Sequence, residues 1–123
     1  MALILVIDDD AAVRTAIRRV LESAGHTALE APDGRAGLLA LRNHGPELVI
    51  TDILMPEKEG IETIREVRAT APTVKIIAAS GDRMAGGPSV LDMALMLGAH
   101  RVIQKPFRRD ELLGLVERLL QAP

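Results

Sequence analysis

Cysteine, tryptophan and tyrosine are all missing from this 123-residue chain, and Phe107 is its single aromatic residue. Without cysteine there is no disulfide, no thiol nucleophile and no thiolate metal site. That absence says nothing about compartment. Without aromatic bulk, the interior must be assembled from Leu, Ile, Val, Ala and Met. A strong charge of one sign is also lacking. The 15 Lys and Arg residues nearly balance 17 Asp and Glu, for a net charge of −2. This removes the electrostatic case for direct nucleic-acid binding. No long apolar run is present either. The apolar start, Ala2 to Ile7, is broken at once by Asp8. It is too short for a signal peptide and far too short to span a bilayer. A cytoplasmic protein with no membrane association is the expectation.

What is present suits a packed globular domain. Hydrophobic residues make up 48% of the chain and charged residues 26%, enough apolar material for a real core. The length fits one domain, expected to span residues 1–123, with no linker, repeat or low-complexity stretch.

Two kinds of segment alternate. Leu3 to Ile7, Leu48 to Thr51 and Val74 to Ala79 are continuous apolar runs, ending in Asp8-Asp9-Asp10, Asp52 and Ser80-Gly81. Runs of this length without polar alternation predict strands buried on both faces, hence a parallel sheet. Thr27 to Ala31 and Arg101 to Gln104 are weaker strand candidates, expected nearer the edges. Between them lie helical patterns. Val13, Ile17, Val20, Leu21 and Ala24 share one helical face that Gly25 closes. Gly34 to Asn43 precedes a Gly45-Pro46 stop. Ile61, Ile64 and Val67 mark a third helix, Val90 to Leu97 a fourth ended by Gly98, and Leu112 to Leu120 a fifth. The pattern predicts a doubly wound (βα)₅ α/β sandwich with a five-stranded parallel sheet and helices on both faces. The stretch from Gly81 to Ser89, rich in glycine, reads as a loop.

In open sheets of this kind, ligands bind beyond the carboxyl ends of the strands. The residues expected there are Asp8, Asp9, Asp52, Ser80 and Lys105. Two carboxylates about 4 Å apart repel by about 4 kcal/mol at an effective dielectric near 20. A third makes it worse, and a divalent cation relieves it. Oxygen ligands without His or Cys favour Mg²⁺, Mn²⁺ or Ca²⁺ over zinc. Lys105 adds a fixed positive charge for a phosphoryl oxygen, and Ser80 adds a hydroxyl. Such a set suits phosphoryl transfer to a carboxylate, where positioning and charge neutralisation supply the catalysis. Asp52 is the expected acceptor, because it stands alone at the end of the central run while Asp8 and Asp9 stand together as a metal-binding pair.

Four marks occur in order over essentially the whole chain: a strand followed by Asp8-Asp9, then Asp52-Ile53-Leu54-Met55-Pro56 with Gly60, then Ser80-Gly81, then Lys105-Pro106-Phe107. Any one is weak; together the sequence strongly resembles the receiver domains of two-component response regulators. The resemblance implies the flavodoxin-like strand order 2-1-3-4-5. It implies phosphorylation at Asp52, a Mg²⁺ cofactor bound directly by Asp9 and through water by Asp8, and metal contacts from Asp52 and the backbone carbonyl of Leu54. Ser80 would bind the phosphoryl oxygen and move on phosphorylation. Lys105 would pair with the phosphoryl group, and with Asp52 before modification. The Lys105–Pro106 bond is usually cis in the family. The implied partners are a sensor histidine kinase or phosphotransfer protein and a downstream protein or output domain. A homodimer through the fourth and fifth helices is also implied. The chain would then be a phosphoacceptor switch, not an enzyme acting on a metabolite.

Three departures stand out. Val102 occupies the place of a Tyr or Phe that swings inward on activation. The stretch from Ser80 to Lys105 is a few residues longer than usual, with the extra length assigned to the glycine-rich loop. Leu54 puts an apolar side chain two residues past the acceptor, where it would obstruct attacking water. We therefore predict a long-lived phosphoryl group: Leu54→Asn should hasten phosphate loss, and an unchanged rate would refute this.

Blander assignments compete with these. Asp10 reads as a plain helix cap. The scattered His26, His44 and His100 read as surface or capping residues without metal-ligand spacing. Phe107 reads as core. The fourth helical pattern is apolar nearly all round, which fits either deep packing or a binding surface. Two other function classes fit the pattern less well. A Mg²⁺-dependent phosphohydrolase passing through an aspartyl phosphate commonly needs an acid two residues after the nucleophile, where Leu54 stands. A docking module using the fold without phosphorylation is disfavoured by the intact acidic, hydroxyl and lysine set.

Overall fold

The computed structural model describes residues 2–53, 59–80, 95 and 98–121, with the backbone alone for 59–61. Five strands form one sheet: β1 (Leu3–Ile7), β2 (Thr27–Ala31), β3 (Leu48–Asp52), β4 (Lys75–Ser80) and β5 (Arg101–Gln104). Every neighbouring pair is parallel, and the order is β2-β1-β3-β4-β5. The described helices are α1 (Ala11–Ser23), α2 (Gly34–His44), α3 (Glu59–Thr70) and α4, the C-terminal helix (Arg109–Gln121). This is the expected doubly wound parallel sandwich, with the weaker strand candidates at the two edges. The fourth helical pattern and the Gly81–Ser89 stretch lie outside the described residues, apart from Leu95, which is helical and exposed.

The strands are apolar throughout because each face of the sheet is covered. Side chains alternate, so each strand feeds two cores. Leu5, Ile7, Val49, Ile76 and Ala78 pack with Leu41, Ile64 and Val67 beneath α2 and α3. Ile4, Val6, Ile50, Ile77 and Ile103 pack with Ile17, Leu21, Leu112, Val116 and Leu119 beneath α1 and α4. Phe107 is only partly buried, against the second core.

Local signals start and stop the helices. The Asp10 side chain accepts the N–H groups of Ala12 and Val13 at the head of α1, as expected of a cap. Asp33 does the same for Ala36 at the head of α2. Gly45 ends α2 in the left-handed conformation at φ 58°.

One glycine is required for packing. A Cβ on Gly37 of α2 would collide with Cδ1 and crowd Cγ1 of fully buried Ile7, the residue before Asp8. Gly37→Ala should therefore lower stability by about 1–2 kcal/mol. Overpacking costs about 1–3 kcal/mol and outweighs a helix-propensity gain of about 1 kcal/mol. Urea denaturation checks this, and an unchanged or raised midpoint would contradict it.

Two histidines depart from the surface reading. His26 is buried: its Nδ1 accepts the Ala2 N–H at 3.2 Å, and its Nε2 lies 3.1 Å from Glu117 of α4. It pins the start of β1 to the last helix. His100 is half-buried, and its Nδ1 lies 3.1 Å from the Ile76 N–H and 3.2 Å from Arg68 Nη2. Burial, and then the charges of Arg68, Lys75 and Arg101, push its pKa below the ordinary value near 6.5. The folded state thus resists a proton that the unfolded state accepts. The stabilising contribution is full above about pH 6.5 and is lost as pH falls from there through the lowered folded pKa. His100→Asn, which keeps an acceptor, should flatten this part of the profile. Urea midpoints at pH 7.5 and 5.5 should fall less in the variant than in the native chain; equal falls would refute the assignment. His44 is exposed at the end of α2, as expected.

Candidate functional site

The sheet register brings the acidic residues level. Ile7 lies opposite Thr51, so Asp8 leaves β1 beside Asp52 at the end of β3. Both carboxylates follow the strand phase that faces α1 and α4, since Asp8 continues Ile4 and Val6 while Asp52 continues Ile50. Lys105 continues the phase of Ile103, and its N–H donates to the Ser80 carbonyl at 2.7 Å. That bond extends the β4–β5 pairing past Gln104 and aims the lysine along the strand ends. The Lys105–Pro106 peptide is cis.

Three charged groups therefore converge. Lys105 Nζ donates to Asp8 Oδ2 at 2.6 Å and to Asp52 Oδ2 at 3.3 Å. Asp8 is 2% exposed and Asp52 8% exposed, so the lysine supplies a positive charge to two buried carboxylates at once. Burial alone would lower the lysine pKa. The Asp8 hydrogen bond and the charges of Asp52 and Asp8 outweigh it, and the net shift is upward, which keeps the ammonium charged. The expectation paired Lys105 with Asp52; here its shorter bond is to Asp8.

Asp9 is exposed, yet one oxygen from each of Asp8, Asp9 and Asp52 lies within 4.8 Å of the others. Three hard oxygen donors with open solvent on one side fit an oxygen-loving divalent cation, which keeps several waters. These residues could hold a metal. Leu54, the expected carbonyl donor, lies outside the described residues, as do Met55 and Pro56.

Ser80 is buried at the end of β4, opposite Gln104 and one step beyond the Asp52–Ala79 pair. It follows Ile76 and Ala78, the strand phase facing α2 and α3, and so is out of phase with Asp8, Asp52 and Lys105. Val102 is half-buried opposite Ala78 and packs into that same core.

Arg14 was missed by the sequence reading. On α1, its Nη1 donates to the main-chain carbonyl of Asp8 at 2.6 Å, and its Nε pairs with Glu30 of β2 at 3.0 Å. The available signal was Glu30 itself, a charge inside the short strand Thr27–Ala31.

Comparison with known proteins agrees with this geometry. The family model "Response regulator receiver domain" matches residues 4–117. Response regulator MprA of Mycolicibacterium vanbaalenii is 35% identical over 123 residues, covering 96% of this chain and 50% of that protein. MprA of Mycobacterium ulcerans is 34% identical over the same length. The chain thus spans about half the length of these curated relatives. Among solved structures, Vibrio cholerae chemotaxis protein CheY4 superposes with a TM-score of 0.87 at 26% identity, covering 97% of this chain and 98% of that one. A CheY-like receiver domain protein from Methanospirillum hungatei gives 0.87 at 28% identity, covering 98% and 95%. NtrX from Brucella abortus gives 0.87 at 31% identity, covering 98% of this chain and 26% of its own. With the fold, the strand-end cluster and a match over nearly its whole length, the chain belongs to the response regulator receiver domain family.

Proposed function

We propose that residues 1–123 act as one receiver domain that accepts a phosphoryl group on Asp52 in a Mg²⁺-dependent reaction. The observation that carries this reading is the sharing of one lysine by two buried carboxylates, with Asp9 alongside. Asp8, Asp9 and Asp52 would hold the Mg²⁺, with the Leu54 carbonyl as a further donor. The bound ion would supply charge neutralisation at the phosphoryl oxygens.

The chain's own residues do the rest. An Asp52 carboxylate oxygen attacks phosphorus, the new O–P bond forms, and the P–N bond to a donor phosphohistidine breaks with its electron pair returning to the imidazole. Lys105 offsets negative charge on the transferred group and orients Asp52. Ser80, out of phase in this structure, turns to bind a phosphoryl oxygen, and that movement shifts a two-state equilibrium read by a partner. Half-buried Val102 takes no part as an aromatic reporter. The donor is a sensor histidine kinase or phosphotransfer protein in the cytoplasm. An apolar recess beside Lys105, lined by Val13, Ile17, Val20, Pro106 and Phe107, offers it a surface next to the acceptor. The reader is a downstream protein or output domain, since the curated relatives are about twice as long. A homodimer through the fourth and fifth helical patterns would place exposed Leu95 at its interface. Among the described residues, no helix is long and apolar enough to cross a membrane.

Intact mass after incubation with Mg²⁺ and acetyl phosphate tests the reading. The expected result is a gain of one phosphoryl group that disappears when Mg²⁺ is chelated. No gain from acetyl phosphate or from candidate kinases, in a folded chain, would overturn it.

A further inference from the structure

A second charged cluster lies directly behind the acidic one. Arg14 is 16% exposed and Glu30 21% exposed in their side chains. Glu30 takes Arg14 Nε on one oxygen at 3.0 Å and Arg18 Nη1 on the other at 2.6 Å. This alone would tether α1 to β2. Arg14 makes one bond that such a tether does not need, from Nη1 to the Asp8 carbonyl at 2.6 Å.

That bond completes the restraint of Asp8. Its N–H donates to the Ala31 carbonyl at 3.1 Å, its Oδ1 accepts the Asp10 N–H at 2.9 Å, and its Oδ2 accepts Lys105. The carbonyl is the remaining handle, and it belongs to the rigid peptide plane shared with Asp9. Fixing the carbonyl sets the rotation of that plane, and so the direction in which the chain enters Asp9. The exposed Asp9 carboxylate has no hydrogen bond or ion pair of its own among the described residues. Its placement therefore depends on the backbone behind it. Glu30 is shared by both arginines, and Glu22 lies 3.6 Å from Arg18, so two carboxylates balance the two guanidiniums and the clamp adds no net positive charge that would repel a cation.

We propose that Arg14, held in place by Glu30, is a positioning residue that sets the Asp8–Asp9 peptide and thereby the affinity of the acidic cluster for Mg²⁺. The inference rests on the phosphoacceptor reading above. Groups that orient metal ligands without touching the metal typically change affinity by about 10–100-fold when removed. The chain lacks Trp and Tyr, so binding is best followed by the backbone amide resonances of Asp8, Asp9 and Asp10 during Mg²⁺ titration.

Arg14→Met should weaken Mg²⁺ about tenfold. Arg14→Lys, which keeps a cationic donor, should restore part of that loss, and Glu30→Gln should give a smaller weakening by loosening Arg14. Arg18→Met removes the other arm of the cluster and serves as the structural control. It should lower the urea midpoint while leaving Mg²⁺ affinity at the native value. At saturating Mg²⁺, uptake from acetyl phosphate by Arg14→Met should return toward the native rate, because the deficit is in affinity. Native affinity in Arg14→Met, or equal weakening in Arg18→Met, would overturn the clamp and leave a mere tether, with the phosphoacceptor reading intact. If the native chain itself shows no Mg²⁺-dependent shift at these amides, the phosphoacceptor reading falls and the clamp falls with it.

Discussion

Replacing Asp52 with alanine should abolish phosphoryl uptake while leaving the fold at least as stable as the native one without metal. Asp8 has both oxygens engaged, by Lys105 at 2.6 Å and by the Asp10 N–H at 2.9 Å. Asp52 meets Lys105 at the longer 3.3 Å, so its contact with the lysine is the looser one. Asp9 is exposed and lacks the low-dielectric surroundings that strengthen charge neutralisation during transfer. Loss of reactivity in Asp52→Ala will not be a folding artefact. Its oxygen lies within 4.8 Å of those of Asp8 and Asp9, a repulsion of about 3 kcal/mol per pair at an effective dielectric near 20 before Lys105 offsets it. Removing one carboxylate leaves Asp8 paired with the lysine and lowers that repulsion. Intact mass with acetyl phosphate and Mg²⁺, together with a urea titration, measures both effects. Uptake that persists in a folded Asp52→Ala chain would move the acceptor elsewhere.

The second large effect belongs to Lys105→Met. The methionine fills the space of the lysine stem but removes the ammonium that serves two buried carboxylates. Removing one member of a buried, hydrogen-bonded charge group leaves the others uncompensated, at a cost of about 3–5 kcal/mol where burial is complete. Lys105 is 17% exposed, so we expect a metal-free loss of about 2–4 kcal/mol. Mg²⁺ should recover part of it, because a cation that binds only the folded state stabilises it by mass action. Phosphoryl uptake should slow roughly a hundredfold, the scale on which a single charge-stabilising donor acts. The native chain should gain less stability from Mg²⁺ than the variant does. A variant as stable as the native chain without metal would show that the lysine is not what holds the carboxylates together.

Much of this architecture follows from one-dimensional information. Leu3–Ile7, Leu48–Asp52 and Lys75–Ser80 are legible as strands because a strand covered on both faces has no polar phase to confuse the reading. Thr27–Ala31 and Arg101–Gln104 are legible as edges because their charged and exposed positions tolerate one open side. The acidic cluster was readable for a related reason. Polar residues that end apolar runs lie at one rim of a parallel sheet, so Asp8, Asp9, Asp52, Ser80 and Lys105 share that rim, where the three acids and the lysine come together.

Choices among neighbours needed the tertiary structure. Composition cannot say that Lys105 lies closer to Asp8 than to Asp52, because register and side-chain reach settle it. The opposite phase of Ser80 comes from its place in the alternation of β4. His26 looks like any surface histidine until the fold brings Glu117 to it from 91 residues away. Gly37 looks like an ordinary helix interruption until Ile7 is set against it. Arg14 has no local signature, since its partners arrive from β1 and β2 on either side of the helix that carries it. Apolar periodicity encodes which face of an element is buried, and so determined the strands, the helices and the rim on which the acids gather. Contacts between polar groups far apart in sequence depend on distances of a few ångströms, which only the folded chain decides.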